Sequence, residues 1–93
     1  MYDRILNRMR RLLLQRQYLV AVHAYDEMSA DELTIWDVES AILTGRIVEH
    51  QKDRTTSENK YRLRGVAIDG SEMEIIAKFG ATGKLVIITV YIL

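Results

Sequence analysis

Residues 60–92, KYRLRGVAIDGSEMEIIAKFGATGKLVIITVYI, decide the fold. Lys60–Ile68, Glu72–Phe79 and Lys84–Ile92 are rich in β-branched and aromatic residues. The turn signals Asp69-Gly70 and Ala81-Thr82-Gly83 separate them, so the run reads as three strands joined by tight hairpins. A two-residue turn at Asp69-Gly70 would set Leu63 against Ile76 and Tyr61 against Lys78, mixing apolar and charged residues on one face. A three-residue loop Ile68-Asp69-Gly70, with Gly70 in the left-handed region, sets Leu63 against Ile75, Tyr61 against Ala77 and Arg64 against Glu74. A slip of one residue reverses every face, so the second register is preferred.

The same loop type at Gly83 sets Phe79 against Leu85, Ala77 against Ile87, Ile75 against Thr89 and Met73 against Tyr91. One face then collects Tyr61, Leu63, Met73, Ile75, Phe79, Leu85, Ile87 and Tyr91, and this is the expected core. The other face mixes Lys60, Arg62, Arg64, Glu74 and Lys78 with Val66, Ile76, Val86, Ile88 and Val90. A face both charged and apolar is rarely left bare. It is half covered by a helix, buried in a dimer, or used as a binding surface.

Upstream of the strands the period changes. Residues 2–17 place Tyr2, Ile5, Leu6, Met9, Leu12 and Leu13 on one stripe, with Arg4, Arg8, Arg11 and Gln15 opposite, as in an amphipathic helix. Tyr18–Val22 reads as a strand-like connector. A second helix is expected from Val22–Ala24 to about Leu33. Thr34 has the form of an N-cap, with Asp37 three residues on as a variant capping box. Ile35, Val38, Ile42 and Trp36 supply the apolar side of a third helix, and Gly45 ends it. Arg46–Gln51 alternates weakly, and Gln51–Asn59 is a polar loop. The whole is expected to be a single α+β domain over residues 1–93. Its N-terminal helices lie on one face of a twisted antiparallel sheet of about four strands.

Charge is segregated along the chain. Met1–Tyr18 sums to +4, Leu19–Gly45 to −6 with six acids and no Lys or Arg, Arg46–Arg64 to +3 and the rest to −1. A net charge of zero therefore hides patches of both signs, and the sign of each patch limits what binds it. The basic first helix either packs its stripe on its own domain or docks on nucleic acid or an acidic partner. With no cysteine, disulfides and thiolate chemistry are excluded. The longest apolar run, Leu85–Leu93, falls short of the roughly 20 residues that span a bilayer. No secretory signal pattern stands at the N-terminus, so no membrane association and a cytoplasmic location are expected. No cofactor is expected either. Gly80-Ala81-Thr82-Gly83-Lys84 superficially resembles a phosphate loop, but it lacks the Ser/Thr after Lys and any βαβ context. The two histidines and the scattered carboxylates show no metal spacing.

The run His23-Ala24, Met28, Leu33-Thr34, Asp37-Val38, Ala41-Ile42, Gly45 and Ile47-Val48-Glu49 resembles the family known as domain of unknown function 4258. Tyr61, Gly65, Asp69-Gly70 and Leu85–Tyr91 extend the likeness, which covers about residues 22–92. The N-terminal helix, residues 1–18, stands outside it as a basic extension. Members of that family are likened to RelE-type toxins. The resemblance therefore implies a RelE-like or barnase-like fold, metal-independent RNA cleavage, RNA or the ribosome as target, and an antitoxin-like protein partner. Many members carry arginines where Glu27 and Asp31 stand here, so nucleic-acid contact through the second helix is not expected of this chain.

Such cleavage needs a base for the 2′-hydroxyl, an acid for the leaving oxygen, and cations for the charge on phosphorus. His23 and His50 are the candidate acid/base groups. Arg62, Arg64 and Lys78, on the outer sheet face, are the candidate phosphate holders. Tyr91 is a candidate proton donor or stacking platform. The plain alternatives are a helix-end role for His23, a solvated His50, an Arg64–Glu74 cross-strand pair and a core Tyr91. The one Phe and the one Trp are expected to be buried, which leaves no exposed aromatic platform for bases. The competing function is a non-catalytic, homodimeric interaction module built on the mixed outer face. The acid-rich helices are the place to expect a basic protein partner.

Overall fold

A computed structural model describes residues 2–93 of the chain. Its elements, in order, are α1 (Asp3–Leu14), β1 (Tyr18–Val20), α2 (Val22–Ala30), α3 (Ile35–Thr44), β2 (Arg46–Lys52), β3 (Asn59–Val66), β4 (Glu72–Phe79) and β5 (Leu85–Ile92). The α+β expectation holds. The sheet has five strands in the order β1-β5-β4-β3-β2, where about four antiparallel ones were expected. The additional strand is the Tyr18–Val20 connector, which pairs parallel to β5 with Leu19 beside Val86.

Both hairpins turn on left-handed glycines, Gly70 at φ +88° and Gly83 at φ +85°. The β3–β4 register is the expected one, with Tyr61 opposite Ala77, Leu63 opposite Ile75 and Arg64 opposite Glu74. The β4–β5 register is as expected from Phe79–Leu85 to Ala77–Ile87 and then departs. Ile88 is an extra residue, so Ile76 faces Thr89, Ile75 faces Val90 and Glu74 faces Tyr91. This bulge reverses the faces beyond it. Val90, expected outside, is fully buried in the core, and Tyr91, expected in the core, lies on the outer face.

α1, α2 and α3 cover one sheet face. Met9 and Leu13 from α1, Ala24 and Met28 from α2, and Val38, Ala41 and Ile42 from α3 pack with Leu63, Met73, Ile75, Leu85, Ile87 and Val90. Burying each large side chain of this set contributes about 1.5–3 kcal/mol. The stripe of α1 thus docks on its own domain. Its Arg8 lies over the Phe79 ring, 3.9 Å from the centroid. Arg10 donates to the carbonyls of Ile42 at 3.1 Å and Gly45 at 2.8 Å, satisfying oxygens at the end of α3.

α1 stops at Leu14 rather than residue 17 because Arg16 turns left-handed (φ 58°) and Gln17 N–H closes on Leu12 O. α2 ends the same way, with Glu32 at φ 55° and Leu33 N–H on Met28 O. α3 begins with the expected capping box between Thr34 and Asp37. One expectation fails there: Trp36 is 64% exposed. Val38, Ala41 and Ile42 fill the buried side at 3–4 residue spacing, and Trp36, two positions before Val38, falls off that face.

Candidate functional site

The sheet face opposite the helices carries cross-strand rows set by the ladder. One runs Arg46–Arg64–Glu74–Tyr91 and the next Glu49–Arg62–Ile76–Thr89. Two irregularities assemble them. The β2 bulge at Val48 keeps Ile47 in the core and brings Glu49 opposite Arg62. The β5 bulge brings Tyr91 opposite Glu74.

Glu74 is the centre of this arrangement. It is only 2% exposed, although no helix covers its side of the sheet. Its Oε2 accepts from Arg62 Nη1 at 2.7 Å and from Arg64 Nε at 2.9 Å, with the Arg64 Nη2 2.8 Å away in the ion pair, and its Oε1 accepts from the Tyr91 hydroxyl. Burial alone would raise the Glu74 carboxyl. The Tyr91 and Arg64 hydrogen bonds and the charges of both arginines outweigh it and hold the group below the usual carboxylate range. The hydrogen bond to Glu74, with burial, raises Tyr91 above the usual phenol range despite the two arginines. At neutral pH the pair is a carboxylate accepting from a phenol, and Tyr91 is a donor rather than a base.

Arg62 also donates Nε to Glu49 at 3.0 Å, and Glu49 accepts from Gln51 at 2.8 Å. The Gln51 bond first, then Arg62, lowers the Glu49 carboxyl, and the Glu49 bond raises Arg62. Lys78 lies further along the same face, its Nζ on Glu58 Oε1 at 2.9 Å. The cluster of Arg62, Arg64, Glu49 and Glu74 sums to zero charge.

The structure therefore brings Arg62, Arg64 and Tyr91 together and leaves Lys78 further along the same face, paired with Glu58. The histidines are elsewhere. His50 faces the helix side, stacked on Tyr61 with centroids 4.9 Å apart and bonded to Asn59 at 2.8 Å. His23 stands on α2, 70% exposed, with Nε2 3.4 Å from Glu27 Oε1. Glu74 is the hub that sequence reasoning treated as a cross-strand partner of Arg64 alone. Its position beside two arginines was legible from the β3–β4 register, but the Tyr91 contact was not, because it depends on the bulge.

No three His, Asp or Glu side chains among the described residues are grouped to hold a metal ion. No described helix is long and apolar enough to cross a membrane. Neither the curated proteins nor the solved structures include a significant match to this chain. The family model described as domain of unknown function (DUF4258) matches residues 21–92, most of the chain, leaving α1 outside. The chain belongs to that family.

Proposed function

We propose that the protein is a non-catalytic interaction module that self-associates through the sheet face opposite its helices. The observation that carries this reading is the state of Glu74: a carboxylate 2% exposed on an uncovered face, ionised and surrounded by Arg62, Arg64 and Tyr91. Both guanidiniums are committed to carboxylates of the same face and Lys78 to Glu58. Among the described residues, the strand cations left there without a carboxylate partner to attract a polyanion are therefore Arg46 and Lys60. Around the cluster lie the half-buried Ile76, Val86 and Ile88 and the exposed Leu19. A face that is part apolar and carries both signs complements its own copy in a two-fold dimer. The acid/base candidates His23 and His50 stand away from it.

Sedimentation over a concentration series tests the reading. A dimer that Val86→Glu converts to a folded monomer is expected, and a strict monomer at high concentration overturns it.

One observation favours RNA binding or cleavage as a second reading. Arg62 and Arg64 sit side by side, 26% and 39% exposed, with N–H groups beyond those bound to Glu49 and Glu74. Incubating the protein with mRNA, with and without ribosomes, separates the two. Cleavage or retention that Arg62→Ala abolishes would replace the first reading with the second.

A further inference from the structure

A different surface carries an inference of its own. At the opposite edge from β2, a groove of about 470 Å³ runs between β1, α2 and the start of α3. Its walls include Tyr18, Val20, Tyr25, Met28, Leu33 and Ile35. β1 is the edge strand, and its parallel ladder uses only one set of backbone groups. Gln17 O accepts from Leu85 N–H at 3.1 Å, and Ala21 N–H donates to Ile87 O at 2.9 Å. Backbone groups alternate sides along a strand, so those of Tyr18 and Val20 point away from β5 toward the open edge. The edge strand carries no proline or charged residue of its own, so its shortness is the one usual protection against added strands that it has.

The charge around this groove has one dominant sign. Residues 19–45, which supply every lining residue except Tyr18, contain six acids and no Lys or Arg, and the acids stand around the groove rather than in its wall. Asp26 adjoins Tyr25, Asp31 and Glu32 precede Leu33, and Glu39 accepts the Tyr18 hydroxyl at 3.0 Å. Burial, followed by that bond to Glu39, raises the Tyr18 phenol, so it stays a donor. Arg16 stands at the near end of β1 and is the counter-charge there.

We infer that this groove takes an extended segment of a separate polypeptide, which adds as a strand along the open edge of β1. Alternate apolar side chains of that segment enter the groove, and Lys or Arg between them meets the acidic rim. Main-chain pairing supplies affinity in such an arrangement, and the side-chain pockets and charge supply specificity. A nucleic acid is not a fit, because the rim would repel phosphates.

The test uses the full chain and synthetic peptides that alternate Val with Arg, or Val with Glu, over about six residues, a typical strand length. The Arg peptide is expected to shift the backbone amide resonances of Tyr18 and Val20 and those of Met28 and Leu33. The Glu peptide, and the Arg peptide at high salt, should bind at least about tenfold more weakly. Tyr25→Ala, at an exposed position that leaves folding intact, should weaken the Arg peptide and leave self-association through the outer face unchanged. Equal binding of both peptides, shifts confined to other surfaces, or the same shifts produced by protein concentration alone would overturn the inference. The last result would make a second copy of the chain the occupant.

Discussion

Glu27 accepts the backbone N–H of Val90 at 3.1 Å, across from α2 to β5. Val90 pairs with Ile75 in a position whose N–H points away from β4, on the side of β5 where β1 has already ended. A side chain on the covering helix supplies the acceptor there. An arginine at this position could not replace it, because a guanidinium has no acceptor to offer. The carboxylate of Glu27 thus completes a backbone hydrogen bond. Glu27→Arg is expected to cost about 1–3 kcal/mol, the penalty of a buried donor left unpaired. Glu27→Gln, which keeps a carbonyl oxygen, should cost less. Urea denaturation of the three proteins measures the order, and equal stability of Glu27→Arg and the parent would refute it.

The carboxylate of Glu74 is one of the groups that tie the stability of the fold to pH on the acid side. Its folded-state value lies below the ordinary 4.5. A carboxyl held low in the folded state stabilises fully above its unfolded value, and that contribution drains away as pH falls through the folded value. Glu74→Gln is expected to lose about 1.5–3 kcal/mol at neutral pH, the range for hydrogen bonds to charged groups. The partial exposure of Arg62 and Arg64 keeps the loss below that of a fully buried pair. The variant should also show a shallower decline of stability below pH 4.5. Tyr91 has the opposite sign: raised above 10.0, it contributes stability below pH 10.0 that is lost as pH rises through its folded value. Tyr91→Phe should flatten that alkaline limb. Urea midpoints across pH 3–12 for the parent and both variants decide these points.

The limits of the sequence reading lie at Ile88. Up to Ala77–Ile87 the pairings among β3, β4 and β5 follow from alternation and from two glycines that must be left-handed. In Leu85–Ile92 that logic runs out, because Ile87, Ile88 and Val90 are all apolar and either register buries hydrophobic groups. What selects the bulged register is polar: Tyr91 reaches Glu74 on one side of the sheet, and the Val90 amide reaches Glu27 on the other. The same kind of limit applies to β1. Tyr18–Val20 is too short to announce a strand, and its place is set by long-range bonds to Leu85 and Ile87. The arginine pair was legible and its central carboxylate was partly so. The histidines were misleading because residue type alone does not place a side chain on a face.

Gly65 fixes how closely α3 lies on the sheet. A Cβ built there would stand 2.7 Å from the Ala41 carbonyl carbon and 2.8 Å from its Cα, both rigid helix backbone. Gly65→Ala is expected to force the helix off β3 and cost about 1–3 kcal/mol. The melting temperature should fall by about 4–8 °C per kcal/mol. Gly70→Ala is the contrasting case, since open space surrounds that position and only its φ of +88° opposes a side chain. Gly65→Ala should therefore perturb amide resonances along α3, and Gly70→Ala only those of its hairpin.

α1 lies outside the family match and yet belongs to the fold through one side chain as much as through its apolar stripe. The Arg10 fork binds the carbonyls of Ile42 and Gly45, where the dipole of α3 is negative. A lysine keeps the charge but not the two-pronged geometry. Arg10→Ala is expected to lose about 1.5–3 kcal/mol, as for hydrogen bonds to a charged group, and Arg10→Lys to recover part of it. Removing residues 1–17 should be far worse, because Met9 and Leu13 are fully buried members of the core. Amide hydrogen exchange gives the sharper readout. In Arg10→Ala the last turn of α3 should lose protection before β3 and β4 do, and unchanged protection there would show that the Arg10 fork does not support the end of α3.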